Sequence, residues 1–388
     1  MTDTKWTDLS TMNPEFKAVR PLTIRASHQA CNSRQHIVTP RRASPSPSSP
    51  GPFLPFLPTT NSKTQYVDAG GPIPSLSAFG ADMPALRAAL LSAPKPLIPG
   101  VNIPESMDGV EKTRISIPVR DGASIGAAVY RPTSGTGKGR PLVVALHGGG
   151  WCVGAPEFEE VNCVHAVQKH GAVAVSLDYR LAPEHPFPTP VHDCWDALRW
   201  LAANASPSSP HVVAADPAGG NMAVVLALLA RDEKLAPPLT GVSASIPAVV
   251  LPGGGEPGEA NCLPEKYRAD YRSYEQNKKA PGLDVEGVGF LLGNYNPDRS
   301  SHLFAPLNWP TGHKGLPPFF IQVCGLDMLR DEALIYERLL RTECGVKTRL
   351  VVYPGLPHSF WSFYPQLEVS RKAVGEVVEG FGWLLGKK

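Results

Sequence analysis

The stretch LVVALHGGGW, residues 142–151, decides the fold. Its first half, Leu142 to Leu146, is apolar at every position, which is typical of a parallel-sheet strand buried on both faces. Its second half places Gly148, Gly149 and Gly150 directly after that strand. Glycines at a strand end let backbone N–H groups turn toward an open site, where they can stabilise an oxyanion. The stretch therefore predicts a buried strand that ends at a candidate oxyanion site.

Similar apolar runs recur along the chain and alternate with helical patterns. The runs lie at 172–177, 212–215, 242–250, 319–323 and 348–353, and the helical patterns at 190–204, 219–232, 331–343 and 367–385. Before them, residues 113–119 alternate polar and apolar, and 127–132 are interpreted as their hairpin partner. Strands that alternate with helices predict an α/β fold with a doubly wound, mostly parallel sheet covered on both sides.

Composition divides the chain into three segments. Residues 1–66 are predicted to be a disordered tail, because 16–67 contain no Asp or Glu and are rich in Pro, Ser and Arg. An alternative interpretation is that part of this stretch is translated intron. Residues 67–110 are predicted to form a small N-terminal helical cap, and 111–388 the α/β domain. Within that domain, residues 253–317 are expected to be irregular and to complete the pocket wall.

Charge and cysteine content limit the classes of partner. The formal net charge of +2 is too mild for nucleic acid or an anionic membrane to be the main partner. The seven cysteines form no CxxC pair and no metal-ligand spacing, so buried free thiols and no metal or cofactor are expected. The N-terminus lacks an apolar signal region, and no apolar run reaches membrane-spanning length. These features favour a cytoplasmic location.

Four motifs occur in a characteristic order along the second half of the chain. They are HGGGW at 147–151, DYRLAPEHPFP at 178–188, GLDMLRDE at 325–332 and YPGLPHSF at 353–360. With them, residues 110–388 resemble the hormone-sensitive-lipase-like carboxylesterases. The resemblance implies an α/β-hydrolase fold, a small apolar ester or other carbonyl compound as the partner, and ester hydrolysis by a Ser–Asp–His triad. By position, Asp327 matches the triad acid and His358 the triad base.

The nucleophile position departs from the family pattern. The family has GDSAGGN, whereas residues 215–221 read ADPAGGN, so the serine maps onto Pro217. Proline has no hydroxyl with which to attack a carbonyl. It also fixes φ and lacks an N–H, so we expect a relaxed turn with Asp216 as N-cap and Pro217 as first helical residue. That change would also displace the amide of Ala218, which the resemblance assigns to the oxyanion hole with the three HGGG glycines.

No other residue replaces the serine convincingly, and three hypotheses about function follow. Asp216 could serve only if the turn shifted, and Cys152 is interpreted as a packing residue. Ser176 belongs to a strand, and Ser359, next to the histidine, is expected to point elsewhere. The first hypothesis is a non-hydrolytic enzyme that uses His358–Asp327 as a general base, for cyclisation, elimination or another biosynthetic tailoring step. The second is a small-ligand binding protein without turnover. The third is an esterase inactivated at one position.

Overall fold

The structure is a computed structural model that describes residues 82–92, 99–135, 139–204, 211–215, 217–251 and 263–387. The predicted tail, residues 1–66, lies outside the described residues, and so does Asp216. Of the predicted cap, residues 67–110, the described part consists of the helix Met83–Ser92 and the segment that follows from residue 99.

Eight strands within the described residues form one sheet in the order β1-β2-β4-β3-β5-β6-β7-β8. β1 and β2 are a hairpin, β2 pairs antiparallel with β4, and the other neighbours are parallel. The strands are β1 (Val110–Pro118), β2 (Ser124–Pro132), β3 (Leu142–Leu146), β4 (Val173–Asp178), β5 (His211–Ala215), β6 (Leu239–Ser245), β7 (Phe319–Leu326) and β8 (Thr348–Pro357). The predicted doubly wound, mostly parallel sheet of an α/β-hydrolase fold is confirmed.

Helices cover both faces of the sheet, because alternate residues of its buried strands point to opposite sides. In β3, Val144 and Leu146 belong to the main apolar core, and Val143 and Ala145 to a second core on the other face. The second core is closed by the helices Glu160–His170 and Glu368–Leu384. The other helices are Thr189–Asn204, Pro217–Asp232, Ser273–Gln276, Val285–Tyr295, Arg330–Arg338 and Phe360–Phe363, and a π-helical turn spans Leu339–Glu343.

Three elements differ from the pattern-based predictions. The apolar run at 242–250 was predicted as one strand, but β6 ends at Ser245 and the chain turns at Ile246, whose φ is 43°. The region 253–317 was predicted to be irregular, but it contains the helix Val285–Tyr295. The helix Glu160–His170, which ends at a left-handed Gly171, was not predicted at all.

The described residues also bear on the expected classes of site. No helix among them has the length and hydropathy needed to cross a membrane. Their cysteines are all free, and Cys152, Cys163, Cys194 and Cys324 are buried. In the same part of the chain, no group of three or more His, Cys, Asp or Glu side chains is placed to hold a metal ion.

Candidate active site

The sequence motifs meet at one edge of the sheet. The glycine loop follows β3, the helix that begins at Pro217 follows β5, Asp327 follows β7, and His358 follows β8. These four strands are parallel, so their carboxyl ends lie at the same edge, where open α/β sheets bind ligands. Residues more than two hundred positions apart are thereby placed around one candidate site.

Asp327 and His358 form a hydrogen-bonded pair. The Nδ1 atom of His358 lies 2.8 Å from Oδ2 of Asp327, and the Asp327 side chain is fully buried whereas that of His358 is 11% exposed. The second carboxylate oxygen accepts a hydrogen bond of 2.9 Å from the backbone amide of Leu329. Both oxygens of Asp327 are therefore engaged, which fixes the carboxylate and directs the other imidazole nitrogen, Nε2, away from it.

The HGGG loop takes a backbone conformation that requires glycine. Gly149 has a φ of 114° and Gly150 a φ of 59°. A Cβ atom on Gly149 would lie 2.1 Å from the carbonyl oxygen of Val153, and one on Gly150 would lie 2.5 Å from a methyl group of Leu291. The Gly149 carbonyl accepts the amides of Cys152 and Val153, which closes the loop. Within the described part of the chain, the Gly149 and Gly150 amides donate to no backbone carbonyl, so both can act as oxyanion donors.

His147 opens this loop but is held as a neutral, structural side chain. Its ring stacks on Tyr179 at a centroid distance of 4.1 Å, and the Tyr179 hydroxyl donates to the His147 carbonyl at 2.7 Å. Complete burial lowers the pKa of the imidazole to about 4. His147 therefore stays uncharged at neutral pH, and His358 is the histidine of this edge that retains access to the site.

The inserted helix Val285–Tyr295 supports the glycine loop from outside. Leu291 packs against Gly150, and its carbonyl lies 3.5 Å from the Cys152 sulfur. Tyr295 stacks on Trp151 at 4.5 Å with almost parallel rings. Sequence reasoning missed Leu291 and Tyr295, because no local motif connects them with a loop some 140 positions earlier. The start of the helix could have been predicted from its N-cap residue, Asp284, whose side chain accepts a hydrogen bond from the amide of Gly287.

The nucleophile motif begins a helix at the position predicted from its proline. The helix Pro217–Asp232 starts at Pro217, two residues after β5 ends. The amide of Ala218 lies in its first turn, where backbone N–H groups have no partner within the helix. Further along, Gly220 lies so close to β6 that a Cβ atom would be 2.9 Å from the Ser245 carbonyl. Asn221 is buried and donates to the carbonyls of Ala248 and Phe304, which anchors this turn.

Two of the alternative nucleophiles, Ser176 and Cys152, are buried packing residues. The Ser176 hydroxyl is buried in β4 and donates to the Pro156 carbonyl at 2.9 Å. Burial raises the pKa of the Cys152 thiol to about 12, so it is protonated at neutral pH. The Arg87 guanidinium donates to the Cys152 carbonyl at 2.7 Å. That cation lowers the thiol pKa, but the effect of burial is larger.

Ion pairs hold the DYRLAPEHPFP segment beneath the site. Arg180 binds the buried carboxylate of Asp193 at 2.6 Å and the exposed carboxylate of Asp121 at 2.7 Å. Arg87, from the helix Met83–Ser92, pairs with Glu184 at 2.8 Å and also donates to the Ala182 carbonyl. The helix of the predicted cap is therefore tied to this segment and to the glycine loop.

Known proteins resemble this chain over most of its length. A family model described as the alpha/beta hydrolase fold matches residues 143–362. An AB hydrolase superfamily protein of Schizosaccharomyces pombe is 40% identical over 283 residues, covering 72% of this chain and 81% of that protein. A carboxylesterase of Mycobacterium tuberculosis is 34% identical over 314 residues, covering 78% of this chain and 89% of the esterase. The crystal structure of vibralactone cyclase matches with a TM-score of 0.72 at 31% identity, covering 98% of this chain and 96% of that one.

Proposed function

Because the chain belongs to the hormone-sensitive-lipase-like group of α/β-hydrolases, we propose that it is a carbonyl-transforming enzyme related to ester hydrolases but lacking their acyl-enzyme step. Pro217 stands at the serine position and cannot form such an intermediate. One observation carries the proposal: the acid–base pair is fully built, with 2.8 Å between His358 and Asp327. A buried carboxylate held on a histidine is the arrangement that a general base requires.

The reaction that fits this site is ring closure of a substrate that supplies its own hydroxyl group. Nε2 of His358 accepts the hydroxyl proton as the oxygen attacks the carbonyl carbon of an ester or thioester in the same molecule. The carbonyl electron pair moves to oxygen, where the Gly149 and Gly150 amides stabilise the charge. Collapse of this tetrahedral intermediate expels the alcohol or thiol, which takes the proton from the imidazolium of His358. The products are a lactone and the leaving group, and no water is consumed.

Asp327 contributes to both proton transfers. Its carboxylate holds the Nδ1–H of His358, so that Nε2 carries the lone pair, and it stabilises the imidazolium that forms. A positioned base of this kind accelerates proton transfer by about 10²- to 10⁴-fold. The similarity to carboxylesterases supports an ester-like substrate, and the similarity to a protein named a cyclase supports intramolecular transfer.

A short δ-hydroxyacyl thioester tests this function, with lactone and free hydroxy acid measured separately. We expect the protein to form lactone, and His358→Ala to lower that rate by about 10²- to 10⁴-fold. His192→Ala is the control, because His192 lies on the helix Thr189–Asn204 and outside the site. Hydroxy acid as the main enzymatic product would overturn the proposal, and so would lactone formation that is insensitive to His358→Ala.

A second candidate is an esterase inactivated at Pro217, which is favoured by the carboxylesterase among the relatives. The two candidates differ in the activity of the unmodified protein. An inactivated esterase turns over neither thioesters nor esters until a serine is restored, whereas the proposed enzyme turns over hydroxyacyl substrates as it is. A binding protein would bind such a substrate without turnover, and His358→Ala would not change that binding.

A further inference from the structure

We propose that residues 272–283 form a brace that sets the position of Asp327 relative to His358, with Asn277 and Gly282 as its positioning residues. The brace belongs to the insert between β6 and β7, which sequence reasoning assigned to the pocket wall. It contacts the acid on one side and the base on the other. The inference deepens the proposed function, and its activity measurement rests on that function, but its structural measurement does not.

Asn277 contacts the acid directly. Its side chain is 2% exposed, and its Nδ2 atom donates to the backbone carbonyl of Asp327 at 2.8 Å. The Asp327 carboxylate is already committed to His358 and to the Leu329 amide. Asn277 therefore holds the main-chain end of the residue while the carboxylate holds the histidine. Loss of the Asn277 amide would leave the buried carbonyl with the longer bond, 3.3 Å, that it accepts from the Arg330 amide. The Asp327 backbone would then be held less firmly and could rotate.

The start of the brace is tied to the turn after Asp327. The Ser273 hydroxyl donates to the Met328 carbonyl at 2.7 Å. The Asp331 carboxylate accepts the amides of Arg272 and Ser273, both at 2.7 Å. Asp331 also pairs with Arg330, and both side chains are almost completely buried. These bonds prevent the brace from sliding along the acid turn.

The end of the brace lies against the base. Gly282 has a φ of 85°, and a Cβ atom there would be 3.0 Å from the His358 carbonyl. The loop that carries Gly282 is closed by a hydrogen bond from the Ala280 amide to the Asn277 carbonyl and by one from Val285 to Lys278. Asn277 and Gly282 are therefore parts of one closed loop that spans the acid–base pair.

The brace fixes the positions of two residues that follow different strands. Asp327 follows β7 and His358 follows β8, so each could shift with its own strand end. Catalytic groups must be held within about 0.5 Å of their working geometry by the residues around them. A loop in contact with both main chains supplies that constraint.

The structural measurement is the proton NMR signal of the His358 Nδ1–H, recorded on the protein with Pro217 in place. The signal is assigned by its loss in His358→Gln. We expect Asn277→Ala and Gly282→Ala to broaden the signal or accelerate its exchange with solvent at least about tenfold, because the Asp327–His358 hydrogen bond opens more often.

Two matched controls separate positioning from general destabilisation. Asn294→Ala removes the same type of bond, an amide to the Phe290 carbonyl at 2.9 Å, from the helix of the same insert. Gly312→Ala imposes the same backbone strain, since Gly312 has a φ of 69°, but a Cβ atom there meets nothing within 4 Å. Both controls should keep the His358 signal, and melting temperatures show which variants fold.

The activity measurement uses ester hydrolysis in a Pro217→Ser background. We expect Asn277→Ala and Gly282→Ala to lower kcat about 10- to 100-fold with little change in KM, because they displace the base rather than the substrate. If the unmodified protein forms no lactone but the NMR signal responds, the proposed function fails and the brace stands. An unchanged NMR signal in both folded brace variants overturns the brace, and so does an equal loss of the signal in the controls.

Discussion

Pro217 stands where the family pattern has its serine, and the proposed function takes this position to lack a nucleophile. The helix begins at this residue, as ordinary helix starts with proline do. Asp327 is nevertheless buried and shared between His358 and the Leu329 amide. Burial of a carboxylate without partners would destabilise the folded protein, so the contacts of Asp327 with His358 and Leu329 are required by the fold. Under the proposed function, the site keeps a base and oxyanion donors and works without an enzyme nucleophile.

The oxyanion loop gives a prediction for a single residue. Gly149→Ala, made in the Pro217→Ser background, should lower ester hydrolysis by about 10²-fold, because a loop amide is displaced from the oxyanion. The physical cause is the Val153 carbonyl, which would lie 2.1 Å from the new Cβ atom. The matched control is Gly122→Ala in the β1–β2 turn, where φ is 84° and nothing lies within 4 Å. If both variants hydrolyse esters equally well, the loop is not the oxyanion site.

At the scale of elements, Glu332 binds the backbone that follows β6. Its carboxylate accepts the amides of Val249, Val250 and Leu251, at 2.5, 2.7 and 3.2 Å. These amides are thus paired with a side chain instead of a neighbouring strand. The apolar run 242–250 does not indicate this pairing, because Glu332 lies some 80 positions later in the sequence. Periodicity predicts which residues are buried, but it does not predict which acceptor satisfies their backbone.

Glu332 also predicts how stability depends on pH. Burial raises the pKa of its carboxyl from the ordinary value of 4.5 to about 7, although the three amides oppose this. Between these values the folded protein holds a proton that the unfolded chain has lost. The free energy of unfolding therefore falls as pH rises through this window, on the order of 2 kcal/mol for this group.

Glu332→Gln tests that dependence, because its amide oxygen can still accept the three N–H bonds but the side chain has no proton to lose. Relative to the unmodified protein, the variant should gain unfolding free energy as pH rises from 4.5 to 7, measured by urea denaturation. Glu379→Gln, at an exposed ion pair with Arg349, is the control and should leave the pH dependence unchanged. Parallel curves for all three proteins would contradict this account of Glu332.

The same elements show what can be predicted from sequence. The sheet strands and the helices at 189–204, 217–232 and 368–384 follow from apolar runs and periodicity, because local pattern and burial agree there. The helix Val285–Tyr295 contains three glycines at 287, 289 and 293, which lower helix propensity and concealed it. Its stability comes from packing against Trp151 and Gly150, and those contacts are distant in sequence.

On the scale of the whole molecule, the sheet brings the site together. Parallel strands place the glycine loop, the helix at Pro217, Asp327 and His358 at one edge, so their proximity could be predicted once the strands were recognised. The brace at 272–283 could not be predicted, since Asn277 and Gly282 belong to no motif and act through contacts with backbone carbonyls. Side chains that position others are recognised by geometry, whereas those that react are recognised by motif.

Under the proposed function, this fold holds a complete acid–base and oxyanion apparatus that lacks only a nucleophile. The most direct test is hydrolysis of short-chain p-nitrophenyl esters by the protein as it is, by Pro217→Ser and by Pro217→Ala. We predict hydrolysis by Pro217→Ser alone, lost again in Pro217→Ser with His358→Ala. Hydrolysis by the unmodified protein, accompanied by a covalent acyl adduct in its mass spectrum, would contradict the claim, because another residue would then be the nucleophile.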